Sequence, residues 1–123
     1  MTTFEFDPNW PIYLQIIEEI KKRAVRGIYP PGGRLPSVRE MALQMGVNPN
    51  TMARAYSELE RDTFLFTQRG QGSFVTETPE RVESERERLA EAAVRRFVSE
   101  IKELGTNARQ VTHLLDEIKE ALS

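Results

Sequence analysis

Asn48, Asn50, Thr51 and Arg54 fall within seven residues and, on a helix, share the face opposite Met52, Ala55, Tyr56 and Leu59. An Asn amide matches the edge of adenine, a Thr reaches phosphate or a thymine methyl, and an Arg guanidinium forks onto guanine. The free N–H groups at the start of such a helix favour phosphate as well. On an isolated helix the same residue types are ordinary caps and solvated surface. The neighbouring elements therefore decide between the two readings.

Further candidates flank this face. Arg39 occupies the second position of a preceding helix, Arg34 and Ser37 stand just before it, and Arg69-Gly70 lies between two apolar runs. A basic tip of that kind suits a groove or a phosphate backbone. The candidate DNA-contacting set is Arg34, Ser37, Arg39, Asn48, Asn50, Thr51, Arg54, Arg69 and Gly70. Tyr13, Tyr56, Phe64, Phe66 and Phe74 are spaced for core and hairpin packing rather than for stacking on bases. Met41, Met45 and Met52 belong to the core by phase.

Other chemistry is poorly supplied. There is no cysteine, and His113 is the only histidine, so neither a thiolate nucleophile nor a transition-metal shell can be assembled. No enzymatic activity, no cofactor and no metal site are expected.

The elements that must position these residues are punctuated by proline and glycine. A first helix is expected from Pro11 to about Arg26, with Ile12, Ile16, Ile17, Ile20 and Ala24 on its apolar face. Ser37 and Glu40 stand at the N-cap and N3 positions of a second helix opening at Val38, a capping box that Gly46 closes at the other end. After only two residues Asn48 caps a third helix with Pro49 at its first position. Two helices joined by so tight a turn form a helix-turn-helix. Phe64–Thr67 and Ser73–Thr76 are rich in aromatic and β-branched residues and form the expected hairpin wing. A charged helix follows from Thr78-Pro79 to Gly105, and a last one begins after Thr106.

Leu89, Ala93, Phe97, Ile101 and Leu104 on the fourth helix, with Val111, Leu115, Ile118 and Leu122 on the fifth, form apolar stripes flanked by charge. They are the expected homodimer interface. The fold class is mainly α with a small β-hairpin: a winged helix-turn-helix domain over residues 1–77 and a two-helix dimerisation segment over residues 78–123.

With 123 residues, 39% hydrophobic and 29% charged, the chain suits one small domain with a helical appendage. The net charge of −2 is distributed unevenly, with +6 between Glu19 and Glu58 and −8 elsewhere. The basic stretch predicts a local positive field for phosphates. No apolar run spans a bilayer and the N-terminus does not resemble a signal peptide, so a cytoplasmic protein without a membrane partner is expected.

In sequence order, Pro11-Ile12-Tyr13-Leu14-Gln15-Ile16, Gly27-Ile28-Tyr29-Pro30-Pro31-Gly32 and Leu35-Pro36-Ser37-Val38-Arg39-Glu40-Met41-Ala42 come first. Asn48-Pro49-Asn50-Thr51, Arg54-Ala55-Tyr56, Leu59-Glu60 and Arg69-Gly70-Gln71-Gly72-Ser73-Phe74-Val75 continue the set. Together they resemble the DNA-binding domain of the GntR family of bacterial regulators, and within it the short YtrA-like subgroup. The resemblance implies that Arg39, the start of the third helix, Arg69 and Gly70 contact DNA, and that the helical tail dimerises. Larger relatives use arginines at the positions of Pro49 and Ala53, so those base contacts do not transfer. Thr63 stands where the family usually has glycine, which predicts an altered entry into the wing. Only residues 79–123 remain for an effector domain, too few for a deep pocket.

The function expected is a sequence-specific transcriptional regulator, a repressor acting as a homodimer on a pseudo-palindromic double-stranded DNA operator. Two alternatives stay open. A winged-helix adaptor would present an apolar rather than an Asn, Thr and Arg face. A regulator with a small-molecule effector site between the C-terminal helices would be stabilised thermally by its ligand.

Overall fold

The computed structural model describes residues 4–123. Five helices and one hairpin follow in the order α1 (Ile12–Val25), α2 (Val38–Met45), α3 (Pro49–Arg61), β1 (Leu65–Gln68), β2 (Gly72–Val75), α4 (Pro79–Glu103) and α5 (Ala108–Ala121). Two compact units result, Met1–Glu87 and Arg88–Ser123.

The first unit is a helix-turn-helix with a wing. Ile16 and Ile20 of α1, Met41 and Met45 of α2, and Met52, Ala55 and Leu59 of α3 meet Phe64, Leu65 and Val75 in one core. Each large apolar side chain taken out of water there contributes about 1.5–3 kcal/mol before chain entropy is counted. The third helix buries Met52, Ala55, Tyr56 and Leu59, as its phase requires. Its predecessor opens on the Ser37–Glu40 capping box and ends on Gly46 at φ 69°.

In α1 the apolar face is turned from the one expected. Ile16, Ile20 and Ala24 are buried, but Ile12 is 45% exposed, Ile17 is half-buried, and Gln15 and Lys21 are buried in their stead. Gln15 serves as a clasp: its amide Nε2 donates to the carbonyls of Asp7 (2.7 Å) and Trp10 (2.8 Å), while its Oε1 accepts from the Asp7 N–H (2.7 Å). The segment before α1 is thereby fastened to the helix.

Both strands lie one residue from their expected starts. Phe64 is fully buried outside β1, and the register pairs Leu65 with Val75, Phe66 with Phe74, Thr67 with Ser73 and Gln68 with Gly72. Beside the two strands, Arg34 adds an isolated bridge that no sequence pattern predicts. The Val75 N–H donates to Gly33 O and the Leu35 N–H to Ser73 O, both at 2.9 Å, with Arg34 bridged to Phe74.

Thr63 does not reroute the entry into the wing. It takes φ 61°, the conformation a glycine would supply, and completes a Schellman cap through Thr63 N–H to Glu60 O and Phe64 N–H to Leu59 O, both 3.0 Å. The turn is kept and the β-branched side chain carries the strain.

The first unit extends to Glu87, ten residues past the boundary expected at residue 77. Val82 and Glu85 are its buried contribution from α4. Glu85 pairs with buried Lys21 of α1, Lys21 reaches Asp62 at 3.1 Å, and Arg81 reaches Asp62 at 3.0 Å and Glu85 at 3.7 Å. A charge cluster thus ties the start of α4 to α1 and to the end of α3.

In the second unit Gly105 ends α4 and Asn107 opens α5 with a capping box, its Oδ1 accepting from the Gln110 N–H while Gln110 Oε1 accepts from the Asn107 N–H, both at 3.0 Å. Neither α5 nor the part of α4 beyond Glu85 buries a residue.

Candidate nucleic-acid interface

Three groups of candidates are set on one scaffold. At the start of α2, Ser37 is exposed, and its Oγ accepts from the Glu40 N–H at 3.1 Å, so the hydroxyl proton remains for another acceptor. Arg39, second residue of the same helix, is exposed. At the start of α3, Asn48 Oδ1 accepts from the Asn50 N–H at 2.7 Å, which commits the oxygen to the cap and leaves the amide N–H groups as donors. Asn50 and Arg54 are exposed and Thr51 is half-buried.

The Tyr56 hydroxyl locks these two groups together. It donates to Pro36 O at 2.6 Å, joining the core side of α3 to the turn that feeds α2. Burial pushes the phenol well above its ordinary range, so it stays a neutral donor.

The wing provides the third group. Gln71 N–H donates to Gln68 O at 2.9 Å, closing a tight turn with Arg69 and Gly70 exposed at its tip. Gly70 has φ 79°, and nothing lies within 4 Å of where its Cβ would be. The turn requires the glycine for its backbone, and the open space permits close approach from outside. Gly72 differs: at φ 121°, a Cβ there would meet Arg34 Nε at 3.0 Å. The missing side chain lets Arg34 lie across the hairpin, so Arg34 joins the wing rather than α2.

Charge sharpens the set. The basic stretch is less available than its +6 suggests, because Lys21 is buried against Glu85, Lys22 pairs with Glu18 at 3.2 Å and Arg23 with Glu19 at 2.8 Å. Arg34, Arg39 and Arg69 form no ion pair among the described residues. The candidate face thus keeps uncompensated cations, although it is not alone in this, since exposed Arg26 after α1 is also without an ion pair among the described residues.

Two residues escaped the sequence reading. Tyr13, assigned there to packing, carries the Arg54 guanidinium over its ring, with Cζ 3.7 Å from the centroid. Gln15, quoted only as part of a motif, fastens the segment before α1. No spacing rule links positions 13 and 54, which meet only when α1 packs on α3.

Of the apolar stripe on the last two helices, Leu89, Phe97, Ile101 and Val111 are half-buried. Ala93, Leu104, Leu115, Ile118 and Leu122 are exposed, Leu104 to 76% and Leu122 to 83%. Val94 and Val98, outside the expected stripe, are exposed at 60% and 43%. His113 is exposed, and among the described residues no group of three His, Cys, Asp or Glu is placed to hold a metal. Nor is any described helix long and apolar enough to cross a membrane.

Comparison with known proteins agrees with this arrangement. The family described as bacterial regulatory proteins, gntR family, matches residues 12–75. YhcF of Bacillus subtilis, an uncharacterized HTH-type transcriptional regulator, is 46% identical over 107 residues, 87% of this chain and 88% of YhcF. The HTH-type transcriptional repressor YtrA of the same organism is 47% identical over 75 residues, 59% of this chain and 58% of YtrA. A GntR family transcriptional regulator from Listeria monocytogenes superposes with a TM-score of 0.82 at 38% identity, covering 91% of this chain and 98% of that one. The DNA-binding domain of AraR in complex with operator ORX1 superposes with a TM-score of 0.56 at 28% identity, covering 62% and 96%. With the helix-turn-helix, the wing and the cationic face in place, the chain belongs to the GntR family of bacterial regulatory proteins and is a DNA-binding transcriptional regulator, not an enzyme.

Proposed function

We propose that the protein represses transcription as a homodimer on a pseudo-palindromic operator. The observation that carries the dimer is the second unit, where α5 buries no residue although Leu115, Ile118 and Leu122 line it. A helix with an uncovered apolar stripe gains by association with a second copy. Leu89, Ala93, Phe97, Ile101, Leu104 and Val111 complete that interface. Repression follows the role of YtrA.

In this reading Arg39, Arg69, Ser37 and the Asn48 amide hold phosphates, and Gly70 lets backbone approach the wing. Asn50, Thr51 and Arg54 face base edges, while Arg34 supports the wing from its bridge to Phe74. A twofold dimer presents two such faces to half-sites about one helical turn apart, ~34 Å, or a multiple of it.

Selection of bound fragments from genomic DNA tests the operator, and sedimentation of the full chain at micromolar concentration tests the dimer. Inverted repeats and a dimer are expected. Asymmetric, unrepeated sites or a monomer would overturn the reading. In transcription from a template carrying the selected site, repression predicts fewer transcripts on adding protein, and more transcripts would reverse the sign.

A further inference from the structure

Arg54 is exposed on the outer face of α3, yet it is not a freely moving side chain. Its guanidinium carbon lies 3.7 Å from the centre of the Tyr13 ring, at the distance of a close cation–π stack. Tyr13 stands in the first turn of α1, half-buried, directly after the segment that Gln15 clasps. The ring therefore belongs to a different element, α1, from the arginine it carries on α3. The stack is also the only interaction recorded for the Arg54 side chain among the described residues.

We infer that Tyr13 is a positioning residue for recognition: its ring holds the Arg54 guanidinium in one orientation before DNA arrives and so sets the base preference at the position Arg54 meets. The inference rests on the proposed DNA-facing role of α3. A guanidinium stacked through its face keeps its N–H groups in the ring-parallel plane, directed outward at the edge, where they remain available to a paired acceptor such as the O6 and N7 of guanine. An unstacked arginine samples many rotamers and must be ordered on binding. Tyr13 therefore acts on selectivity through Arg54 and needs no contact of its own with a base.

The test is a double-mutant cycle in the full chain, read as affinity for the selected operator and for single-base variants of it. Tyr13→Leu is expected to weaken operator binding about 3- to 5-fold, the size of an exposed cation–π contact. It should also flatten discrimination at the base position that Arg54→Ala flattens. Tyr13→Phe keeps the ring and should restore both. With Arg54 already replaced by Ala, Tyr13→Leu should have no further effect. An equal loss from Tyr13→Leu in both backgrounds would show that Tyr13 acts by another route and overturn the inference. Should Arg54→Ala change selectivity while Tyr13→Leu does not, the inference fails and the role of Arg54 stands. Should Arg54→Ala change neither affinity nor selectivity, the DNA-facing role of Arg54 fails, and the inference with it. Unchanged thermal unfolding of Tyr13→Leu guards against misreading a folding defect.

Discussion

Single residues on the candidate face divide by what restrains them. Arg39 and Arg69 are exposed and without an ion pair among the described residues, so they can be removed at little structural cost. Arg39→Ala and Arg69→Ala should each weaken DNA binding with unchanged thermal unfolding. Each lost phosphate contact should lower the slope of log affinity against log salt by about 0.9. A salt titration of each variant measures it, and an unchanged slope removes that arginine from the phosphate contacts. Thr63 is restrained by its backbone instead. At φ 61° a threonine is strained, whereas glycine is at ease. Thr63→Gly should raise stability by about 1 kcal/mol, the lower end of such strain, read as a higher urea midpoint at constant slope. A lower midpoint would show that the bond from Thr63 Oγ1 to Asp62 O outweighs the strain.

Elements are held together by groups that periodicity undervalues. Lys21 and Glu85 are 6% and 2% exposed, and they join α1 to the start of α4. Removing Glu85 takes the buried partner from Lys21 and leaves it the half-exposed Asp62, so Glu85→Ala should cost about 3 kcal/mol, the lower end for breaking a buried pair. Lys21→Met combined with Glu85→Leu should cost much less, because no charge is left stranded and Arg81 still has Asp62. Chemical denaturation of the single and double variants checks this, and additive losses would contradict it. Such pairs mark the limit of what the sequence makes legible. The caps at Ser37, Gly46 and Asn48 are local, decided within four residues, and the third helix follows from its phase alone. The place of Gln15 and Lys21 in the core depends on partners 8 and 64 residues away for which no spacing rule exists. The bridge at Arg34 likewise needs its hairpin folded before its own pairing is defined. On the candidate face the residue types were legible, but the stacking of Arg54 on Tyr13 and the fit of Arg34 over Gly72 were not, since both are meetings between separate elements.

For the molecule as a whole, the point at which the chain can be divided is set by burial rather than by the end of the wing. A chain ending at Glu87 retains Val82 and Glu85 and should be a folded monomer. One ending at Glu77 exposes part of the core and takes Glu85 away from buried Lys21, and it should unfold more readily. Sedimentation and thermal unfolding of the two truncated forms separate these outcomes, and a dimeric form ending at Glu87 would move the interface into the winged unit. Loss of the second unit should also lower operator affinity more than any single arginine variant, since two linked half-site contacts reinforce each other. The clasp of Gln15 on the Trp10 carbonyl has an optical consequence. Trp10 is the only tryptophan in the chain, is 39% exposed, and sits three positions before the tyrosine that carries Arg54. Its fluorescence is therefore an intrinsic signal from a fixed point beside the recognition machinery. Titration with operator should change the intensity or wavelength of that emission without any attached dye, saturating at one dimer per site, whereas an emission indifferent to DNA would place Trp10 outside the reach of the bound duplex.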